Sequence, residues 1–285
     1  MLRPRDILPA LLLCSCAARA ELVTPTWQAL VFEKRSIWGI ARAEVGLRAT
    51  HDCDEQGWRM IVDNSLPGMR ETIDITLDCQ QGSNLHRERV SQGRGQRLKS
   101  WEYDHSRVLR ERREPPADPA SLPPQSWPVS SRIRIDVPEP AQSHAVTSPH
   151  ALLALLDTLI DEPLDALIVH TDLNFYRLTV RRTPQALDLG EDLGWGEEQL
   201  RGRRSVHRLF LRAYPLDGNP EADDFSFLGL SGEIVIDVDR QTRLPLRISG
   251  SAPRLGNTVL RLMVASPAAP PATVDSALAQ GASDR

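Results

Sequence analysis

Apolar and polar residues alternate with a period of two from Trp27 to Arg113, the signature of strands with one dry and one wet face. The stretch Ile37 to Ala49 carries it most clearly. Gly39, Ala41, Ala43, Val45 and Leu47 share one face, Arg42, Glu44 and Arg48 the other, and Gly46 permits a bend. Trp27, Ala29 and Val31 likewise alternate with Gln28, Leu30 and Phe32. Trp58, Met60 and Val62 form the next dry row, followed by Ile73, Ile75 and Leu77 set against Thr72, Asp74, Thr76 and Asp78. Strands joined in this order predict a long antiparallel meander. From Asn84 to Arg113 the alternation persists while apolar residues thin out, leaving Leu85, Val90, Leu98, Trp101, Tyr103 and Val108 among Arg87, Arg89, Arg94, Arg97, Lys99, Arg107, Arg110, Arg112 and Arg113. Two readings stay open for that basic run. One is a surface for an anionic envelope component such as a lipid headgroup or polysaccharide. The other is a charged strand face with edge protection, because Glu88, Glu102, Asp104, Glu111 and Glu114 are interleaved.

Residues 115–128 carry Pro115, Pro116, Pro119, Pro123, Pro124 and Pro128, a density that favours an extended connector. Ile133, Ile135 and Val137 then mark one short strand. Ser148 and Pro149 read as a helix start, and Leu152, Leu153, Leu155, Leu156, Leu159 and Ile160 as the stripe of a helix ending before Pro163, expected to cover the sheet's apolar face. Strands resume over 166–171, 175–182, 186–191, 197–201, 205–214, 231–239, 244–249 and 258–264, with turns at Asp217 to Pro220 and Asp239 to Thr242. The expected fold is therefore mainly β: a large curved antiparallel sheet with one short covering helix. Residues 21–114 form its N-terminal meander, 129–265 complete the same domain, and 266–285 read as a disordered tail.

Residues 1–20 have the layout of a cleaved export signal: Arg3 and Arg5, a short apolar run from Ile7 to Leu13, and Ala18-Arg19-Ala20 as an A-x-A cleavage site. The run is well short of the roughly 20 residues that span a bilayer. Lipoprotein processing at Cys16 is the second choice. Either route leads to the periplasm, with peripheral membrane association or none. Cleavage after Ala20 takes the chain from 34 basic and 38 acidic residues to a more acidic balance, which argues against general nucleic-acid binding. Of four cysteines, Cys53 and Cys79 remain, and two cysteines in an oxidising compartment predict one disulfide.

The search for chemistry yields no catalytic residue, no metal site and no cofactor motif. His144 and His150 are separated by a proline, and His170-Thr171-Asp172 lacks a nearby second imidazole. Ser231 lies outside any G-x-S-x-G turn. Glu197, Glu198, Asp223 and Asp224 could supply the two carboxylates of a cell-wall glycan hydrolase, the third reading, but adjacent pairs of this kind are usually loop charge.

The order of elements resembles the exported domain-of-unknown-function 3108 family of Gram-negative bacteria. The features that carry it are the strand pair Trp27 to Leu47, the leucine helix Ser148 to Ile160, Gly196-Glu197-Glu198 through Gly202 into Val206 to Leu211, and the ending Asp239 to Arg247 with Leu244-Pro245-Leu246-Arg247. The resemblance implies a half-barrel similar to the periplasmic lipoprotein-localisation factors, whose curled sheet makes an apolar groove. A twisted sheet with a dry concave face under a leucine helix leaves such a pocket on physical grounds too. Its expected lining is Val31, Ala43, Val45, Trp58, Val62, Ile73, Ile75 and Leu77, with a fully packed core as the alternative. The expected function is a non-enzymatic envelope protein that holds a lipid-like or other apolar ligand, or else an adaptor presenting a sheet edge or its Arg-rich strands to an envelope complex.

Overall fold

The computed structural model describes residues 23–36, 39–48, 57–66, 68–93, 95–117, 122–161, 167–216, 225–252 and 255–268. Its first half is the meander that the alternation predicts. β1 (Trp27–Ser36), β2 (Gly39–Arg48), β3 (Trp58–Leu66), β4 (Met69–Leu77), β5 (Asn84–Gly93), β6 (Arg97–Asp104), β7 (Arg107–Arg113) and β8 (Val129–Asp136) each pair antiparallel with the next. The second half comprises β9 (Val146–Thr147), β10 (Leu167–His170), β11 (Phe175–Asp188), β12 (Leu193–Trp195), β13 (Glu198–Leu200), β14 (Arg203–Pro215), β15 (Ser231–Asp239), β16 (Pro245–Ala252) and β17 (Gly256–Pro267). From β10 the ladder runs through β11, β14, β15 and β16 to β17, and β17 pairs with β1 to join both halves into one 17-stranded sheet.

The fold is mainly β, as expected, but the sheet is mixed. β9 lies parallel to β10, and β12 lies parallel to β17. β16 pairs with β17 only from Gly256 to Arg261, so β12 takes up the edge that remains at Val264 and Ala265. Among the described residues no ladder joins β8 to β9, and the sheet does not close into a barrel. Of the proline-rich segment between β7 and its neighbour β8, the described residues 122–128 lie against β5 and β7. Arg113 donates to the carbonyls of Gln125 and Trp127, Gln125 donates to Glu88, and Trp127 is buried.

One expected helix becomes two short pieces. A 3-10 turn, His150–Leu153, is followed by α2 (Leu156–Asp161), while α1 (Glu139–Gln142) precedes them. Ser148 does serve as the start signal, its Oγ accepting the Ala151 N–H at 3.4 Å. Every residue from Ala151 to Ile160 is buried, so this segment has no wet face. It lies inside the curve of the sheet and shares one core with β1 to β4 and β10 to β17.

Two corrections follow from backbone irregularities, and two more from strands that run further than expected. A register shift between Trp27 and Ala29 reverses the parity of β1: Trp27, Leu30 and Phe32 are buried, and Val31 faces outward beside Glu44 and the exposed Val264. Val31 is therefore not a lining residue. A second shift, between Thr76 and Leu77, pairs Leu77 with Asn84, so Asn84 points inward and Leu85 is exposed. β11 runs unbroken through Pro184, because beyond Leu178 β10 no longer flanks it and a residue without an N–H is tolerated on that stretch. At the C-terminal end β17 continues through Ser266 and Pro267, two residues past the expected boundary.

Candidate functional site

The inward face of the sheet changes character from β4 to β7. Cross-strand neighbours share a face, so the register Ile75 to Arg87 to Trp101 to Arg110, and in parallel Ile73 to Arg89 to Lys99, carries an apolar row directly into a basic one. Arg87, Lys99 and Arg110 are each buried to within 7 % of full enclosure. Charges at that depth persist only when paired.

Their partner comes from the far end of the ladder. The turn between β10 and β11 projects Asp172 into the basic row, where its carboxylate accepts from Lys99 Nζ and, at 2.8 Å, from Arg110 Nε. Arg87 donates to the backbone carbonyls of His170, at 2.8 Å, and Thr171, while Trp101 Nε1 donates to the Asp172 carbonyl at 3.1 Å. Tyr103 meets His170 Nδ1 at 3.1 Å, and the His170 ring stacks at 4.6 Å on Phe175. A small second core of Trp101, Val108, Val137, Ala141, Ile168 and Phe175 fills the space behind. Side chains thus close what the backbone ladder leaves open, along a seam between β5 to β7 and the β10–β11 turn.

Burial shapes the protonation of this seam. It pulls the Lys99 ammonium down to about 8, against the opposing hydrogen bond to Asp172. Burial works to raise the Asp172 carboxyl, but the hydrogen bond and charge of Lys99, with Arg110, outweigh it and hold Asp172 below its usual value. His170 is driven well below its ordinary range by burial and by Arg87. His150, which borders the same region, is pulled down to about 3 by burial and by Arg87 and Arg89, so its imidazole is neutral at physiological pH.

A cavity of about 240 Å³ opens beside the seam. Ile73, Arg87, Arg89 and Trp101 form its sheet wall, Glu71 its edge, Thr171 and Asp172 one end, and Pro149 with His150 the strap across it. Arg87 lies over the Trp101 ring at 4.0 Å and Arg89 at 5.7 Å. The remaining rim is Ser226 and Gly229. These belong to a tight turn in which Phe227 and Leu230 exchange backbone hydrogen bonds of 2.8 and 3.0 Å, and Leu228 and Gly229 both have positive φ, 51° and 76°. Leucine rarely adopts that conformation, so strain is held at the mouth of the cavity.

The expected lining residues fare unequally. Ala43, Val45, Trp58, Val62, Ile73, Ile75 and Leu77 do share one face and are all buried, but in the main core against Leu30, Phe32 and the leucines of the 3-10 turn and α2. Ile73 is the one that also reaches the cavity wall just described. Cys79 is buried in that core at the end of β4, and Cys53 lies outside the described residues. Residues 1–20, Asp223 and Asp224 also lie outside them. Glu197 and Glu198 are exposed at the β12–β13 turn, and Ser231 spends its hydroxyl on the Ser251 carbonyl. Among the described residues no group of His, Cys, Asp and Glu is arranged to hold a metal ion, and no helix is long and apolar enough to cross a membrane.

The sequence alone places Arg87, Arg89 and Lys99 in a basic run with Trp101 among its sparse apolar residues, weighs His150 and Asp172 only as metal ligands, and does not single out Ser226. The signal for the first four is parity: they continue the dry rows of Ile73 and Ile75 across the β4–β5 hairpin. Comparison with family models, curated proteins and solved structures finds no match for this chain. The resemblance to the domain-of-unknown-function 3108 family therefore stays one of sequence pattern.

Proposed function

We propose that the protein is a non-enzymatic binding protein of the cell envelope that holds a small amphipathic ligand in the seam cavity. The observation that carries this reading is an apolar and aromatic wall, Ile73 and Trp101, meeting two guanidiniums within one hollow about 240 Å³ in size. Pockets that enclose a drug-sized molecule run from roughly 300 to 1,000 Å³. The hollow therefore suits a headgroup with its first methylenes, in place of the long acyl groove expected from the dry strand faces. The export-signal layout read in residues 1–20 supports the periplasm as the place of action, and the resemblance to the domain-of-unknown-function 3108 family agrees with it.

An apolar fluorescent probe such as N-phenyl-1-naphthylamine tests the reading. Its emission should rise on mixing with the protein and saturate near one probe per chain. Ser226→Trp, an exposed rim position, should fill the hollow and abolish the rise while leaving the thermal transition in place. A rise that survives Ser226→Trp, or none with the wild type, would contradict it.

A second reading, an envelope adaptor, is favoured by one observation. β8 is exposed along most of its length, and an outer hollow of about 560 Å³ beside it combines Leu109 and Ile133 with Arg113, Arg132 and Arg134. In that case charge-reversal at Arg132 and Arg134 should dissociate an envelope complex and leave probe binding unchanged.

A further inference from the structure

The cavity also carries information about the charge of its occupant, and this inference rests on the ligand-holding reading above. Four cations, Arg87, Arg89, Lys99 and Arg110, gather around the Asp172 and Glu71 carboxylates, which leaves two positive charges in excess at neutral pH. The cations are not equally committed. Lys99 and Arg110 are both spent on Asp172, and Arg87 is fixed by the His170 and Thr171 carbonyls and by the face of Trp101. Arg89 is different. It lines the hollow with about a quarter of its side chain exposed and reaches Glu71 only at 3.5 Å, while Glu71 in turn meets Ser91 Oγ only at 3.4 Å. Its Nε is buried without a hydrogen-bond partner beside the hollow that the side chain lines, and a guanidinium fork matches carboxylate and phosphate oxygens in two parallel hydrogen bonds. His150, neutral at physiological pH, adds no charge of its own to the cavity, and Trp101 offers its ring to whatever apolar part follows the anion.

We propose that the seam cavity recognises an anionic group, a phosphate or carboxylate, through Arg89, with the adjoining apolar part of the ligand against Trp101 and Ile73. Glu71 then acts as the internal stand-in that occupies Arg89 loosely until the ligand arrives.

Isothermal titration calorimetry on the full mature chain separates the sources of the anion, with octyl phosphate, inorganic phosphate and octyl glucoside as probes. The expected result is that octyl phosphate binds at least tenfold tighter than either of the others. Arg89→Ala should weaken octyl phosphate tenfold or more, Arg89→Lys should recover part of the loss, and Glu71→Gln should tighten it several-fold. The gain in Glu71→Gln is a result that misfolding does not produce. Inorganic phosphate binding as tightly as octyl phosphate, and equally dependent on Arg89, would uphold the anion site and overturn the amphipathic ligand. Octyl glucoside binding as tightly as octyl phosphate, with no response to Arg89→Ala, would overturn the anion site and leave the ligand-holding reading standing. No heat from any probe on folded protein would overturn both.

Discussion

At the scale of single residues, buried charge decides the behaviour of this protein. Asp172 is the shared partner of two cations that are themselves almost fully enclosed, Lys99 and Arg110. Removing one partner of such a set strands the others, so Asp172→Asn should cost about 3 kcal/mol in urea unfolding. A loss under about 1 kcal/mol would show that water reaches the seam. Asp157, in α2, is the opposite case. Burial pushes its carboxyl up to about 6, with Asp161 adding to the rise and Arg243 opposing it. The unfolded value is near 3.8, so the folded state favours the protonated form. Stability from this group is whole below about pH 4 and is lost as pH rises through about 6. Asp157→Asn should therefore raise the thermal midpoint at pH 7.5, by at most about 3 kcal/mol in free energy, and the advantage should vanish at pH 4. An equal gain at both values would contradict the assignment. In the sequence these residues look like ordinary acids, because neither burial nor partner is encoded nearby: 73 positions separate Lys99 from Asp172.

At the scale of elements, strands were legible wherever alternation was strict, and misread wherever the backbone inserted a residue. β2, β3 and β4 present the rows Ala43 to Leu47, Trp58 to Val62 and Ile73 to Leu77 as the pattern predicts. β1 does not, since the shift near Ala29 moves Leu30 and Phe32 inward and Val31 out. A bulge leaves no mark in composition, so period-two reasoning carries the wrong face past it. The leucine segment was legible as buried but not as broken: its stripe predicts one continuous helix, whereas burial on every side from Ala151 to Ile160 accompanies a 3-10 turn followed by α2. The ends of β3 and β4 bear on the cysteines. We propose that Cys79, buried at the close of β4, pairs with Cys53. Mature protein denatured without reductant should then offer no thiol to alkylation, and reduction should cost about 3 kcal/mol. Two alkylated cysteines would reject the pair.

At the scale of the whole molecule, the meander and the mainly β class follow from local pattern, whereas the architecture follows from one long-range event. β17 returns to pair with β1, and the curled sheet then brings the β10–β11 turn against β5 to β7. Nothing local announces that meeting, and the cavity exists only because of it. This is why the sequence pattern points to a pocket along the dry faces of β1 to β4, where the residues of β2 to β4 pack into the core, and not to the seam where apolar and basic rows join. Holding a ligand at such a seam ties occupancy to stability, since anything bound to the folded form alone stabilises it by mass action. Octyl phosphate at saturation should accordingly raise the thermal midpoint of the wild type and leave Ser226→Trp unmoved. The most direct measurement is native mass spectrometry of the protein isolated without detergent from the envelope of its own host. The account predicts a mass above that of the chain by one small anionic amphiphile, released on denaturation and absent from Ser226→Trp. A bare chain from the wild type under the same gentle ionisation would contradict it.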